Sequence, residues 1–185
     1  MVRDGGQTVH VFGKDGHSTI VRTQREGRSE YAYRVVEGAD PLRYTDHPPA
    51  ARLVGAGPHS GLAWQKATYE TSCPDVVGQT VEMFDHYRTG DLVVLSARGW
   101  CFDPGHLGNH GSVEADDMRV PMFFRGPGLP AGAWIDTART LDIAPTVLSL
   151  MGAVPSTANG ALPGRDLLPL LRRAEASKAA TQPAP

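Results

Sequence analysis

The chain has 185 residues, 41% of them apolar, a formal charge of −2 and Lys and Arg scattered along its length. That composition suits one domain or a substantial piece of a larger one, and it excludes wholesale disorder. The near-neutral balance gives no electrostatic case for nucleic acid or an anionic membrane as partner.

Cys73 and Cys101 lie far apart in the sequence, form no framework, and read as reduced thiols. The opening MVRDGGQTVHVFGKDG holds no apolar signal-peptide core, and no later run reaches membrane-spanning length. A soluble, cytoplasmic chain is expected.

Residues 1–59 read as a β-rich segment followed by loop. Thr8–Phe12 and Ser18–Thr23 flank Lys14-Asp15-Gly16-His17, whose Asp-Gly step is a hairpin signal. Tyr31–Val36 follows as a third strand with Tyr31, Tyr33 and Val35 on one face. Residues 38–59 are rich in Gly, Pro and His and lack periodicity, so a loop is predicted. Ser60 caps a helix to about Tyr69. A second helix is expected over 74–88, with Pro74 at its first position and Thr89-Gly90 as its stop. The apolar run after Asp91 then reads as a buried strand to Ser96, and a helix running straight into such a strand is typical of a mixed or mostly parallel sheet.

That strand feeds a Gly-rich loop carrying Cys101, Asp103, His106 and His110. A polar loop after a buried strand is where α/β proteins usually place their chemistry. Arg119–Arg125 is the next predicted strand, ending in the tight turn Gly126-Pro127-Gly128, and Ile135–Ala138 a short one. Asp142 caps a helix over Ile143–Met151 that Gly152 stops. A last helix is expected over Leu167–Arg173, with a disordered tail over 174–185. The fold class is α/β: a mixed or mostly parallel sheet flanked by helices, preceded by an N-terminal β-hairpin region. Residues 60–173 form its α/β part.

Four segments occur in order: Gly90-Asp91 with the strand ending at Ser96; Asn109-His110-Gly111-Ser112; Asp117-Met118-Arg119-Val120-Pro121 with Gly126-Pro127-Gly128; and Asp142-Ile143-Ala144-Pro145-Thr146. Together with Gly164-Arg165-Asp166-Leu167, they make residues 60–172 resemble the C-terminal part of the alkaline phosphatase superfamily, nearest its type I phosphodiesterase/nucleotide pyrophosphatase and sulfatase-like members. The resemblance implies an α/β fold and metal-dependent hydrolysis of phosphate or sulfate esters. It also implies a site with two divalent metal ions, usually zinc, that activate a Thr, Ser or formylglycine nucleophile and stabilise the leaving oxygen.

Two departures qualify that expectation. Nothing here resembles the family's N-terminal half, which carries the nucleophile and its first metal Asp, so no catalytic residue is assigned. Where the family shows Ser-Asp-His-Gly, this chain has Ser96-Ala97-Arg98-Gly99. Ala97 cannot coordinate a metal, and Arg98 would repel one. His110 keeps a position that supplies a metal imidazole in the family, and His106 and Asp103 are the nearby ligand types that could take over coordination. Arg98 is the candidate anion-binding residue, against a salt bridge to Asp103 or Asp117. Trp100 is expected to be buried beneath the loop, and Glu114, Asp116 and Asp117 read as a solvated acidic turn. The expectation is a partial domain, inactive alone, whose partner is a missing N-terminal half or another subunit and whose parent substrate is a small phosphate or sulfate ester. The alternatives are a non-catalytic subunit that completes a sheet with a partner, an anion-binding module using Arg98, His106 and His110, and a Met1 that is an internal start in a longer gene.

Overall fold

The computed structural model describes residues 1–4, 7–103, 105, 111–153, 156–157 and 160–181. They divide into two compact units at residue 120.

In the first unit, β1 (Val2–Asp4), β2 (Thr8–Phe12), β3 (Gly16–Arg25), β4 (Arg28–Gly38) and β5 (His59–Ser60) form one antiparallel sheet in chain order. The Asp15-Gly16 signal does mark the β2–β3 hairpin. Gly16 is needed there, because a Cβ would sit 1.8 Å from the Ala39 carbonyl oxygen. Glu26 and Gly27 both have positive φ (50° and 75°). They close β3–β4 as a two-residue turn whose twist matches that of the strands. Strand periodicity puts Val9, Val11, Ile20, Tyr31 and Tyr33 on one buried face.

Two helices cover that face. α2 (Gly61–Thr68) starts where predicted, with Ser60 Oγ accepting from Ala63 N at 3.2 Å. It buries Trp64, whose Nε1 donates to the Tyr31 carbonyl at 2.7 Å. α3 (Val76–Met83) adds Val76, Val77 and Val81, with Phe84 just beyond its end. It is shorter than the predicted 74–88 span at both ends. Asp75 takes a left-handed φ of 57° while its N–H donates to Thr68 Oγ1 at 2.8 Å, so Pro74 stays outside the helix. At the far end Arg3 Nη1 and Thr89 Oγ1 donate to the carbonyls of Phe84 and Met83 at 2.7 and 2.8 Å, which caps the helix early.

Residues 38–59 are more ordered than a loop. The Asp40 carboxylate accepts from Leu42 N and Thr45 N, both at 3.0 Å, and from the Tyr33 hydroxyl. This clamp sets up a 3-10 turn (Tyr44–Asp46) and α1 (Pro48–Ala51). Tyr44 is fully buried and donates to the Cys73 carbonyl at 2.7 Å. Cys73 is buried and Cys101 exposed, and neither forms a disulfide.

The expected mixed or mostly parallel sheet is corrected: the five-stranded sheet is antiparallel. Residues 91–93 run antiparallel along the β1 edge instead. Arg3 N donates to Asp91 O at 3.1 Å, Val93 N to Met1 O at 2.9 Å, and the Met1 amine to Val93 O at 2.7 Å. Leu92 and Val94 are 61% and 63% exposed. Residues 119–125 form no strand, and Phe123 is 86% exposed. An apolar run specifies burial but not which neighbour supplies it, and among the described residues neither segment has a parallel neighbour.

The helical turn α4 (Ala115–Met118) belongs to the first unit. The second unit holds α5 (Ile143–Leu150), the two-residue strands β6 (Ser156–Thr157) and β7 (Gly160–Ala161), and α6 (Leu168–Thr181). α5 matches its prediction, and Gly152, at φ 74°, ends it. Residues 135–138 form no strand. α6 runs past Arg173 into the stretch expected to be disordered. Ala, Glu and Lys dominate residues 174–180 and are strong helix formers. Among the described residues no helix is long and apolar enough to cross a membrane.

Candidate functional site

The loop after residue 96 begins with a tight turn. Trp100 N donates to Ala97 O at 2.9 Å, and Gly99 supplies the φ of 82° that the turn requires. Arg98 does form an ion pair, but with Asp116 at 2.5 Å rather than with Asp103 or Asp117. Both side chains are largely exposed, so the pair adds only about 0–1 kcal/mol. Trp100 and Phe102 lie on the surface at 77% and 72% exposure, so the expected burial of Trp100 is not found.

Asp103 organises its own turn. Its Oδ1 accepts from Gly105 N at 2.9 Å, while its N–H meets Cys101 Sγ at 3.3 Å. This is local hydrogen bonding of the Asx type. His106, Asn109 and His110 lie outside the described residues.

The returning chain is better anchored. Asp117 Oδ2, within α4, accepts from Ser112 N at 3.0 Å, and Ser112 Oγ accepts from Glu114 N at 3.1 Å, so Ser112 and Asp117 close the turn that leads into the helix. Ala115 N donates to Ser72 O at 2.8 Å. Arg119 reaches Glu70 at 3.4 Å and lies 5.6 Å over the Tyr69 ring. These bonds fix residues 112–119 to the α2–α3 connection. Val113 packs against the core there.

Among the described residues no three side chains of ligand type converge on a point. Ala97 offers no donor atom, Arg98 is a cation, and Asp103 Oδ1 is engaged by Gly105. The described part of the loop does not by itself make up a two-metal centre.

The second unit shows what two of the family-like motifs do. The Asp142 carboxylate, with its residue only 2% exposed, accepts from Arg139 N at 3.0 Å, Arg165 N at 2.7 Å and Arg165 Nη2 at 3.1 Å. Thr146 Oγ1 donates to Asp142 O at 2.6 Å and accepts from Leu167 N at 3.0 Å. Ser149 Oγ donates to Asp166 Oδ2 at 2.6 Å, and Arg165 Nη2 also reaches Thr137 O at 3.0 Å. Gly164 passes so close that a Cβ would lie 1.9 Å from Leu141 O. The Asp142–Thr146 and Gly164–Leu167 motifs are thus one hydrogen-bonded unit. Sequence reasoning treated Asp142 as a cap of its own helix. Its side chain instead closes the 3-10 turn at Thr140–Asp142 and holds a segment 23 residues away.

Partial similarity to known proteins supports, at most, a sulfatase-like relationship within the alkaline phosphatase superfamily. Over 73 residues the chain is 41% identical to a putative extracellular sulfatase Sulf-1 homolog of Caenorhabditis elegans, covering 36% of this chain and 10% of that protein. It is 38% identical over 73 residues to an extracellular sulfatase SULF-1 homolog of Drosophila melanogaster, covering 36% of this chain and 6% of that protein. The aligned stretch is thus a tenth or less of the length of the curated relatives it matches. No family model and no solved structure matches the chain.

Proposed function

We propose that the chain carries the C-terminal part of a sulfatase-like domain whose parent reaction is metal-dependent hydrolysis of a sulfate or phosphate ester, and that the chain by itself does not turn over. The observation that carries this reading is the similarity of about 40% over 73 residues to two sulfatase homologues. The order of the family-like motifs, and the bonding of Asp142 to Arg165 that joins two of them, support it. In the parent site His110, with His106 and Asp103, would offer ligands to a divalent metal, zinc in this reading. Arg98 would face the anionic ester. The nucleophile would come from outside the chain.

The test is hydrolysis of p-nitrophenyl sulfate and bis(p-nitrophenyl) phosphate by the purified chain with added zinc. The expected rate is indistinguishable from that of His110→Ala. Metal-dependent turnover that disappears in His110→Ala would overturn the inactivity.

A second reading, a subunit that completes its sheet with a partner, is favoured by one observation: the β1 edge ends in an extended segment with Leu92 and Val94 exposed. A chain that stays monomeric and binds no hydrophobic dye would count against it.

A further inference from the structure

The sheet face opposite the Trp64 core carries His10 and Phe12 on β2 beside His17 on β3. The register pairs Phe12 with His17 and His10 with Thr19, so the two histidines are diagonal neighbours on one face. Nδ1 of His10 lies 2.9 Å from Nε2 of His17, with the ring centroids 5.1 Å apart and the planes 14° from parallel. Rings placed nearly in line at that distance share one N–H···N hydrogen bond, in which one imidazole donates and the other accepts through its lone pair. The Phe12 ring lies against that of His17, centroids 4.4 Å apart and 8° from parallel. The bond stands at the end of the β2–β3 hairpin. Beyond it Gly13 N donates to Gly16 O at 2.9 Å, and Ala39 N donates to Asp15 O at 3.0 Å. The hairpin end is thus joined to the residue before Asp40, whose carboxylate orders the segment up to Thr45.

We propose that the His10–His17 bond is an acid-sensitive latch on this hairpin end. A pair of imidazoles with no added proton keeps one donor and one acceptor, and one added proton turns the bond into a charge-assisted N–H···N. A second added proton leaves two donors with no acceptor and sets two like charges side by side. The bond therefore stabilises the hairpin at neutral pH and opposes it once both rings are cationic. Its contribution is lost as pH falls through the range in which histidine ordinarily titrates. Asp4 of β1 faces the pair, its Oδ2 3.7 Å from His10 Nε2. Glu37 and Arg34 of β4 stand opposite His17 and Thr19 in register, and Lys14 and Asp15 lie in the turn. α2 and α3 pack on the opposite face. The carboxylates favour added protons and the cations disfavour them, but none of these groups restores the acceptor that a doubly protonated pair lacks. In acid the rings part, Phe12 loses its stacking partner, and the turn at 13–16 frays together with its hold on Ala39. The latch uses none of the loop residues behind the proposed hydrolase, so the two ideas stand or fall separately.

The test is a double-mutant cycle in the full chain: urea unfolding of the native protein, His10→Thr, His17→Phe and the double variant, at pH 8 and at pH 5. His10→Thr puts a β-branched residue opposite Thr19, and His17→Phe keeps the stack with Phe12. The cycle cancels the titration of groups that do not touch the pair. At pH 8 the coupling should favour the native state by about three- to tenfold in the unfolding constant, and at pH 5 it should vanish or reverse. Hydrogen exchange in the native chain, corrected for the intrinsic effect of pH, gives a reading that needs no variant to fold. The amides of Gly13 and Ala39 should lose about threefold or more in protection from pH 8 to 5, while that of Ile20, in the middle of β3, keeps its own. No coupling at pH 8, or the same coupling at both pH values, would overturn the proposal. So would protection at Gly13 and Ala39 that does not change with pH.

Discussion

Asp142→Ala is the most informative single change in the second unit. It leaves the backbone N–H groups of Arg139 and Arg165 and one guanidinium contact without their acceptor. An orphaned buried donor costs about 1–3 kcal/mol, and removing one partner of a buried ion pair about 3–5 kcal/mol. The Arg165 side chain is 32% exposed, so water recovers part of that loss. The expected loss is about 3–4 kcal/mol. Asp142→Asn keeps the shape but turns an amide N–H₂ toward donors, for a loss of about 2 kcal/mol. Arg165→Ala spares both backbone bonds but leaves the buried Asp142 carboxylate without its countercharge, and should lose about 2 kcal/mol. The assay is native-state hydrogen exchange at the amides of Arg139, Arg165 and Leu167, where each 1.4 kcal/mol is about tenfold in protection. Protection in Asp142→Ala should fall by about two to three orders of magnitude. A fall of less than about threefold, or an equal fall in Arg165→Ala, would refute the claim that this carboxylate holds the two motifs together.

Alkali should destabilise the first unit. Burial, with Glu82 next, pushes the Tyr31 hydroxyl up to about 12. Burial together with the Asp40 carboxylate raises Tyr33 further, and burial raises Tyr44 well above the usual range. The native state holds these protons more tightly than the unfolded chain, so their contribution is complete below about pH 10 and is lost as pH climbs above it. A urea midpoint that stays constant from pH 8 to 12 would contradict this. Thiol labelling should separate the cysteines: Cys101 is exposed, while burial keeps Cys73 inaccessible and raises its thiol above the usual range. One thiol should react in the native chain and the second only on unfolding; equal rates would show that the core around Tyr44 opens readily.

The parts of the fold that could be read in advance are those set by local chemistry. Asp15-Gly16, the alternation through Tyr31 and Tyr33, the Ser60 cap and the Gly152 stop all act over a few residues, and each stands where predicted. What was misread depends on distant partners. Pro74 looks like a helix start until Thr68 Oγ1 claims the next N–H. Residues 40–46 look structureless because their order comes from one carboxylate, Asp40, and one buried ring, Tyr44. The apolar segments after Asp91 and Arg119 have the composition of parallel strands, yet composition cannot supply the neighbours that would make them so. At the candidate site the Arg98 ion pair was foreseen and its partner was not. Asp116 sits one position from Asp117, and only the turn built on Ser112 and Asp117 decides which of the two faces Arg98.

The pairing of residues 1–3 with 91–93 also bears on the order in which the first unit assembles. β2, β3 and β4 meet through short turns and lose little chain entropy in doing so. The bond from the Met1 amine to Val93 O instead closes a loop of 92 residues. That edge forms late and opens early, while the meander behind it stays intact. During synthesis β1 emerges well before residues 91–93 exist as its outer neighbour.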